Sequence, residues 1–151
     1  MLNEDDGLHK WLLLSYRVPR SPSARRVYVW RKLKQLAAVA LQDATWILPD
    51  TPRNQEQFQW LAAEVEELGG EATVWQAQPL FGGQDKRLVR QFQDQADAAY
   101  REILKGLRRK SPDLPALSLR YQQALALDYF PNAMGRRVRE ALLAAQGGGE
   151  K

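Results

Sequence analysis

Residues 8–42 carry eight Lys or Arg side chains and not one Asp or Glu. Arg17, Arg20, Arg25, Arg26, Arg31, Lys32 and Lys34 are spaced so that a strand end, a loop and one helix would hold them all. Guanidinium groups present paired donors in the geometry that phosphates and other oxyanions accept. The chemistry implied is anion holding: contact with a phosphate backbone or with a free oxyanion through Arg17, Arg20, Arg25, Arg26, Arg31 and Lys32. The plainer reading is a solvated helix face whose charges pair with a neighbouring acidic helix. Glu64, Glu66 and Glu67 could supply those partners.

Other chemistries find little support. Cysteine is absent, which removes thiol nucleophiles, disulfides and zinc ribbons, and one histidine, His9, cannot build a histidine metal site. Asp43 and Asp50 flank an extended segment with no motif behind them and read as turn and cap residues. No glycine-rich phosphate loop, nucleophile elbow or paired-histidine helix occurs. The expectation is a non-enzymatic protein without cofactor or metal. Trp11, Trp30, Trp46, Trp60 and Trp75 fall among apolar neighbours and read as core packing rather than base-stacking platforms. Arg101, Lys105, Arg108, Arg109 and Lys110 form a second basic patch, joined by Arg136, Arg137 and Arg139, and read as dipole partners at helix ends. The break over 111–115 holds two prolines and no tight turn, so no helix-turn-helix is predicted. The first residues are acidic (Glu4, Asp5, Asp6), unlike a secretory signal, and no apolar run nears the ~20 residues that span a bilayer. A cytoplasmic protein with no membrane partner is expected.

The elements that position the cations follow from periodicity. At 151 residues the chain suits one ordinary domain with an appended helical piece. Residues 10–18 form a near-continuous apolar run and predict a strand buried on both faces. A helix over about 23–38 follows, with Ser21 or Ser23 as its cap, Pro22 in its first turn, and Val27, Trp30, Leu33 and Ala37 facing the core. Residues 39–48 read as extended chain bent at Gln42-Asp43 into two strands. Asp50-Thr51-Pro52 starts a helix whose stripe is Phe58, Leu61, Ala62, Val65 and Leu68, and Gly69-Gly70 stops it. Residues 71–78 predict another strand. The order is that of an α/β (α+β) ferredoxin-like βαββαβ sandwich, over 8–80. Phe81-Gly82-Gly83 reads as a linker. Helices over about 85–110 (stripe Leu88, Phe92, Ala96, Ala99, Ile103, Leu107), 116–128 and 132–145 form a C-terminal helical extension, 84–146, packed on the sandwich. Residues 147–151 are expected to be a disordered tail.

The block WLLLSYRVPRSPSARRVYVWRKLKQLAAVALQDATWILPD, continued by FQWLAAEVEELGGEATVW, resembles the amino-terminal domain of the chromate-resistance protein B (ChrB) family. LDYFPNAMGRRVREAL resembles that family's aspartate, aromatic pair and proline before a final helix. The resemblance implies a chromate-responsive regulator of efflux operons, with promoter DNA or a chromate- or sulfate-like oxyanion as partner. Full-length members carry a further carboxy-terminal domain, and this chain ends where it would begin. The strand-helix-strand order is also similar to the ferredoxin-like domain of the phenylacetate-pathway repressor family and to the small CRISPR-associated adaptation nuclease. That nuclease places a metal-binding aspartate at the end of the first strand, where this chain has Ser15-Tyr16-Arg17-Val18. An arginine there would repel the cation, so the expectation is an inactive relative of that fold. A protein–protein interaction module is the other alternative, and because such sheets commonly pair, a homodimer is expected.

Overall fold

The computed structural model describes residues 8–148. Two compact units divide between Leu88 and Val89. The first contains β1 (Trp11–Arg17), α1 (Ala24–Gln35), β2 (Val39–Gln42), β3 (Thr45–Pro49), α2 (Pro52–Glu67), β4 (Glu71–Ala77) and the start of α3 (Gly82–Leu107). The second holds the rest of α3 with α4 (Leu114–Ala126) and α5 (Ala133–Gly148). The fold is therefore mixed α and β with carboxy-terminal helices, in the βαββαβ order the sequence predicts.

The strands form one sheet in the order β2-β3-β1-β4, and every neighbouring pair is antiparallel. β1 is central, which is why its sequence is apolar on both faces rather than alternating. The register places Leu12 opposite Leu48 and Leu14 opposite Trp46, and all four are buried. Helix α2 lies against β1 and β4 and touches α1. Its buried side is Asn54, Phe58, Leu61 and Val65, at the spacing the sequence shows. Asn54 is a polar member of that stripe and donates from Nδ2 to the Pro49 carbonyl at 2.9 Å. The 39–48 segment bends where expected, between β2 and β3, and a bulge between Ala40 and Gln42 leaves Leu41 exposed.

Helix α2 ends at Gly69, whose φ of +87° is a left-handed conformation that suits glycine. Gly70 then passes so close to β1 that an added Cβ would sit 2.1 Å from the Arg17 carbonyl oxygen. No side chain fits there.

Several expectations need correction. Val27 and Trp30 do not face the core: they are 43% and 50% exposed, whereas Leu33 is buried as its spacing predicts and Val29 joins it. The helix carries apolar residues on two sides, and periodicity alone does not rank them. Trp30, Trp60 and Trp75 are all at least half exposed, and only Trp11 and Trp46 pack in the core. Gly82-Gly83 is not a linker but the first turn of α3. Within the second unit Tyr100, rather than Ala99, joins the stripe, and it shares a buried cluster with Ile103, Leu117, Tyr121, Val138 and Leu142. Helix α5 continues through Gly148, and residues 149–151 of the expected tail lie outside the described residues.

Candidate anion-binding site

Ser23 is the N-cap of α1, yet its side chain accepts no backbone N–H, and the first turn has no acidic residue. A helix start left this way favours negative charge from elsewhere. The cations divide around the helix. Arg25 and Lys32 are half-buried and lie on the same side as Val29 and Leu33. Arg26 and Arg31 are exposed, with Val27 and Trp30 beside them, and Arg20 is exposed in the preceding loop.

Two of the predicted contacts meet at the end of α2. An added Cβ at Gly69 would lie 3.9 Å from Arg25 Nη1, and Arg17 lines a cavity of about 240 Å³ with Val18, Pro19, Gly69, Gly70 and Glu71. Arg17 is already committed there: its Nη2 donates to Glu71 Oε2 at 2.9 Å, in a pair exposed on both sides. Arg26 is placed elsewhere. It lines a cavity of about 300 Å³ with Tyr16, Ser23, Val27 and Trp30. Lys32 stands 5.6 Å over the Tyr28 ring, and Lys34 stands 5.8 Å over Trp30. The cluster is thus split between two small sites rather than gathered into one.

The acidic-helix pairing expected as the plainer reading is sparse. Tyr28 donates from its hydroxyl to Glu64 at 2.5 Å, joining α1 to α2. Among the described residues, no carboxylate lies within ion-pair distance of Arg20, Arg25, Arg26, Arg31, Lys32 or Lys34. Burial pushes the Tyr16 hydroxyl above its ordinary pKa, with Trp46 and the Arg26 charge pulling the other way. Tyr16 is therefore a proton donor at neutral pH. Trp46 Nε1 is buried and acts on the Tyr16 oxygen without reaching full hydrogen-bond geometry to any of the described residues.

Asp43 lies at the β2–β3 turn, and Asp50 accepts from Gln55 Nε2 at 2.7 Å and Gln76 Nε2 at 3.0 Å, as structural residues do. Among the described residues, no group of histidine and carboxylate side chains could hold a metal ion, and no helix is long and apolar enough to cross a membrane. In the second unit the cations of α3 and α5 are exposed. The Asp128-Tyr129-Phe130 segment docks inward: Tyr100 donates to Asp128 at 2.8 Å, and Phe92 lies 5.9 Å from the Tyr129 ring and 5.8 Å from Phe130.

Sequence reasoning missed one buried group. Asp85, in the first turn of α3, accepts from Trp11 Nε1 (2.9 Å) and the His9 backbone N–H (3.0 Å), and its Oδ2 lies 2.6 Å from His9 Nδ1. Burial works to raise this carboxyl, but hydrogen bonds from the His9 side chain, Trp11 and the His9 backbone outweigh it and hold the pKa below the ordinary value. A lowered pKa means the stability it confers is present above the usual carboxylate range and lost as pH falls through the lowered value. The signal lay in no local pattern, because the partners are 74 and 76 residues away.

Residues 26–114 match the family model described as protein ChrB, N-terminal. The chain is also 33% identical, over 93 residues, to the protein ChrB of Cupriavidus metallidurans (strain CH34). That alignment covers 62% of this chain and 25% of the relative, so the chain spans about a quarter of the length of the curated protein it matches. No solved structure matches significantly. Arg26, Trp30, Arg31 and Lys32 fall inside the family match, whereas Arg17, Arg20 and Arg25 precede it.

Proposed function

This chain belongs to the ChrB N-terminal family, and from that premise we propose that it is a non-enzymatic, cytoplasmic regulatory protein associated with chromate resistance that binds DNA through α1 and the loop before it. One observation carries this reading. Arg20, Arg25, Arg26, Arg31, Lys32 and Lys34 occupy a single helix and its approach, and no carboxylate among the described residues lies within ion-pair distance of them. Such a concentration of one sign is an electrostatic footprint for a polyanion.

Fluorescence anisotropy with labelled duplex from the protein's own promoter region tests it. Binding should weaken steeply with salt, because each neutralised phosphate releases condensed counterion. Combined Arg26→Ala and Arg31→Ala should flatten that slope by about two phosphate contacts. Absence of binding at low salt would sink the reading. A second reading, capture of an inorganic oxyanion, is favoured by a helix start whose Ser23 side chain accepts no capping N–H. Calorimetric titration with chromate and sulfate decides it: heat of binding without DNA supports it, and none removes it.

A further inference from the structure

The cavity beside the first turns of α1 combines two chemistries that a cationic patch does not need. Its walls are a hydroxyl pair (Tyr16, Ser23), a guanidinium (Arg26) and an aromatic ring (Trp30), with Val27 between them. We propose that this cavity is the subsite for one unstacked nucleotide of a single-stranded nucleic acid, with its phosphate at Arg26 and Ser23 and its base stacked on Trp30. The inference rests on the DNA-binding reading above and specifies which form of nucleic acid the site takes.

Spacing supports the assignment. Arg26 and Trp30 are four residues apart on one helix, so they share a face and are offset by about 6 Å along its axis. That offset is comparable to the reach from a nucleotide's phosphate to its base. The Trp30 ring is 50% exposed, although large aromatics at this size usually pack inward, and the Lys34 ammonium stands 5.8 Å from its centroid. A ring beneath one cation, in a cavity lined by another, is poorly suited to an apolar protein partner. It suits a base whose phosphates need those cations.

The polar end is also prepared. Ser23 Oγ accepts no helix N–H, so its hydroxyl is not held in a capping orientation. Tyr16 is half-buried and protonated. Trp46 is 6% exposed, and its Nε1 reaches no acceptor at full hydrogen-bond geometry among the described residues. The Trp46 N–H is directed at the Tyr16 oxygen and pulls its pKa down, which leaves the Tyr16 O–H to turn outward to a phosphate oxygen. Duplex DNA offers Trp30 no free base face, because its bases stack on one another. A single strand does.

The experiment compares three probes on the full chain by anisotropy: labelled oligothymidylate, an abasic strand of the same length, and duplex. The wild type should bind oligothymidylate more tightly than the abasic strand. Trp30→Ala should weaken oligothymidylate binding by roughly tenfold and leave the abasic strand unchanged. Trp30→Phe should retain most of the affinity, and Arg26→Ala should weaken both strands and lower the salt slope by about one. Circular dichroism melts of each variant confirm that the fold is kept. Equal wild-type affinity for the two strands, or equal loss from both in Trp30→Ala, overturns the subsite. If duplex binding persists in that case, the DNA-binding reading stands alone; if no nucleic acid binds, both fall. Tighter binding to polyglutamate than to oligothymidylate overturns the subsite in favour of an acidic protein.

Discussion

Helices α1 and α2 belong to the same unit, end in the same way, and are built to different standards. Each closes with a six-residue hydrogen bond and a shorter one inside it: Ala38 N–H to Leu33 and Ala37 N–H to Lys34 in α1, Gly70 N–H to Val65 and Gly69 N–H to Glu66 in α2. At the left-handed position α2 has glycine (φ +87°), whereas α1 holds an alanine (φ +58°). At the other end, Thr51 accepts from the Asn54 N–H at 3.1 Å, and Ser23 accepts nothing through its side chain. α2 buries four residues and α1 buries two. The difference teaches that the sequence of α2 serves the sheet. That of α1 tolerates backbone strain and a bare start while keeping its outer side cationic and aromatic.

The largest test of this contrast lies just past the two ends. Gly70→Ala should destabilise by about 3 kcal/mol in urea unfolding, since a Cβ there meets the Arg17 backbone. The matching residue in α1, Ala38, is already an alanine and is buried without such a clash. A loss below about 1 kcal/mol would mean that the α2–β4 turn yields, and the contrast in precision would break. The next test exchanges the left-handed residues. Gly69→Ala should cost about 1 kcal/mol, and Ala37→Gly should gain a similar ~1 kcal/mol, because an L side chain is strained there. Opposite shifts in melting temperature would confirm that the two ends are equivalent; shifts of one sign would refute it. The smallest effect concerns the caps. Thr51→Ala should lose about 1 kcal/mol, and Ser23→Ala only about 0.3 kcal/mol. A comparable loss at Ser23 would show an N-terminal bond that the structure does not contain.

Much of the first unit was legible in the sequence because its signals are local. The apolar run of β1, the bend at Gln42-Asp43, the Thr51-Pro52 start and the Gly69-Gly70 stop each act within a few residues, and each is where the pattern puts it. The cations were legible for the same reason. Their partition was not. Leu33 faces inward as its spacing puts it, but whether Val29 or Val27 and Trp30 join it is set by packing against other elements such as α2, not by the helix alone. The start of α3 was misread because two glycines look like a linker. What holds them helical is Asp85, whose N–H reaches the Phe81 carbonyl at 3.3 Å and whose carboxylate is tied to His9 and Trp11.

The uneven burial of the tryptophans has an optical consequence. Trp11 and Trp46 are sealed at 1% and 6% exposure, while Trp30, Trp60 and Trp75 stand in water. The protein's own emission should therefore divide into a blue, protected population and a red, quenchable one. Iodide, drawn toward Arg26 and Lys34, should extinguish Trp30 more effectively than caesium, which those charges repel. Unfolding would merge the two populations, whereas an occupant of the α1 cavity would darken or shield only one ring. The unlabelled chain thus reports its folding and its occupancy in separate colours.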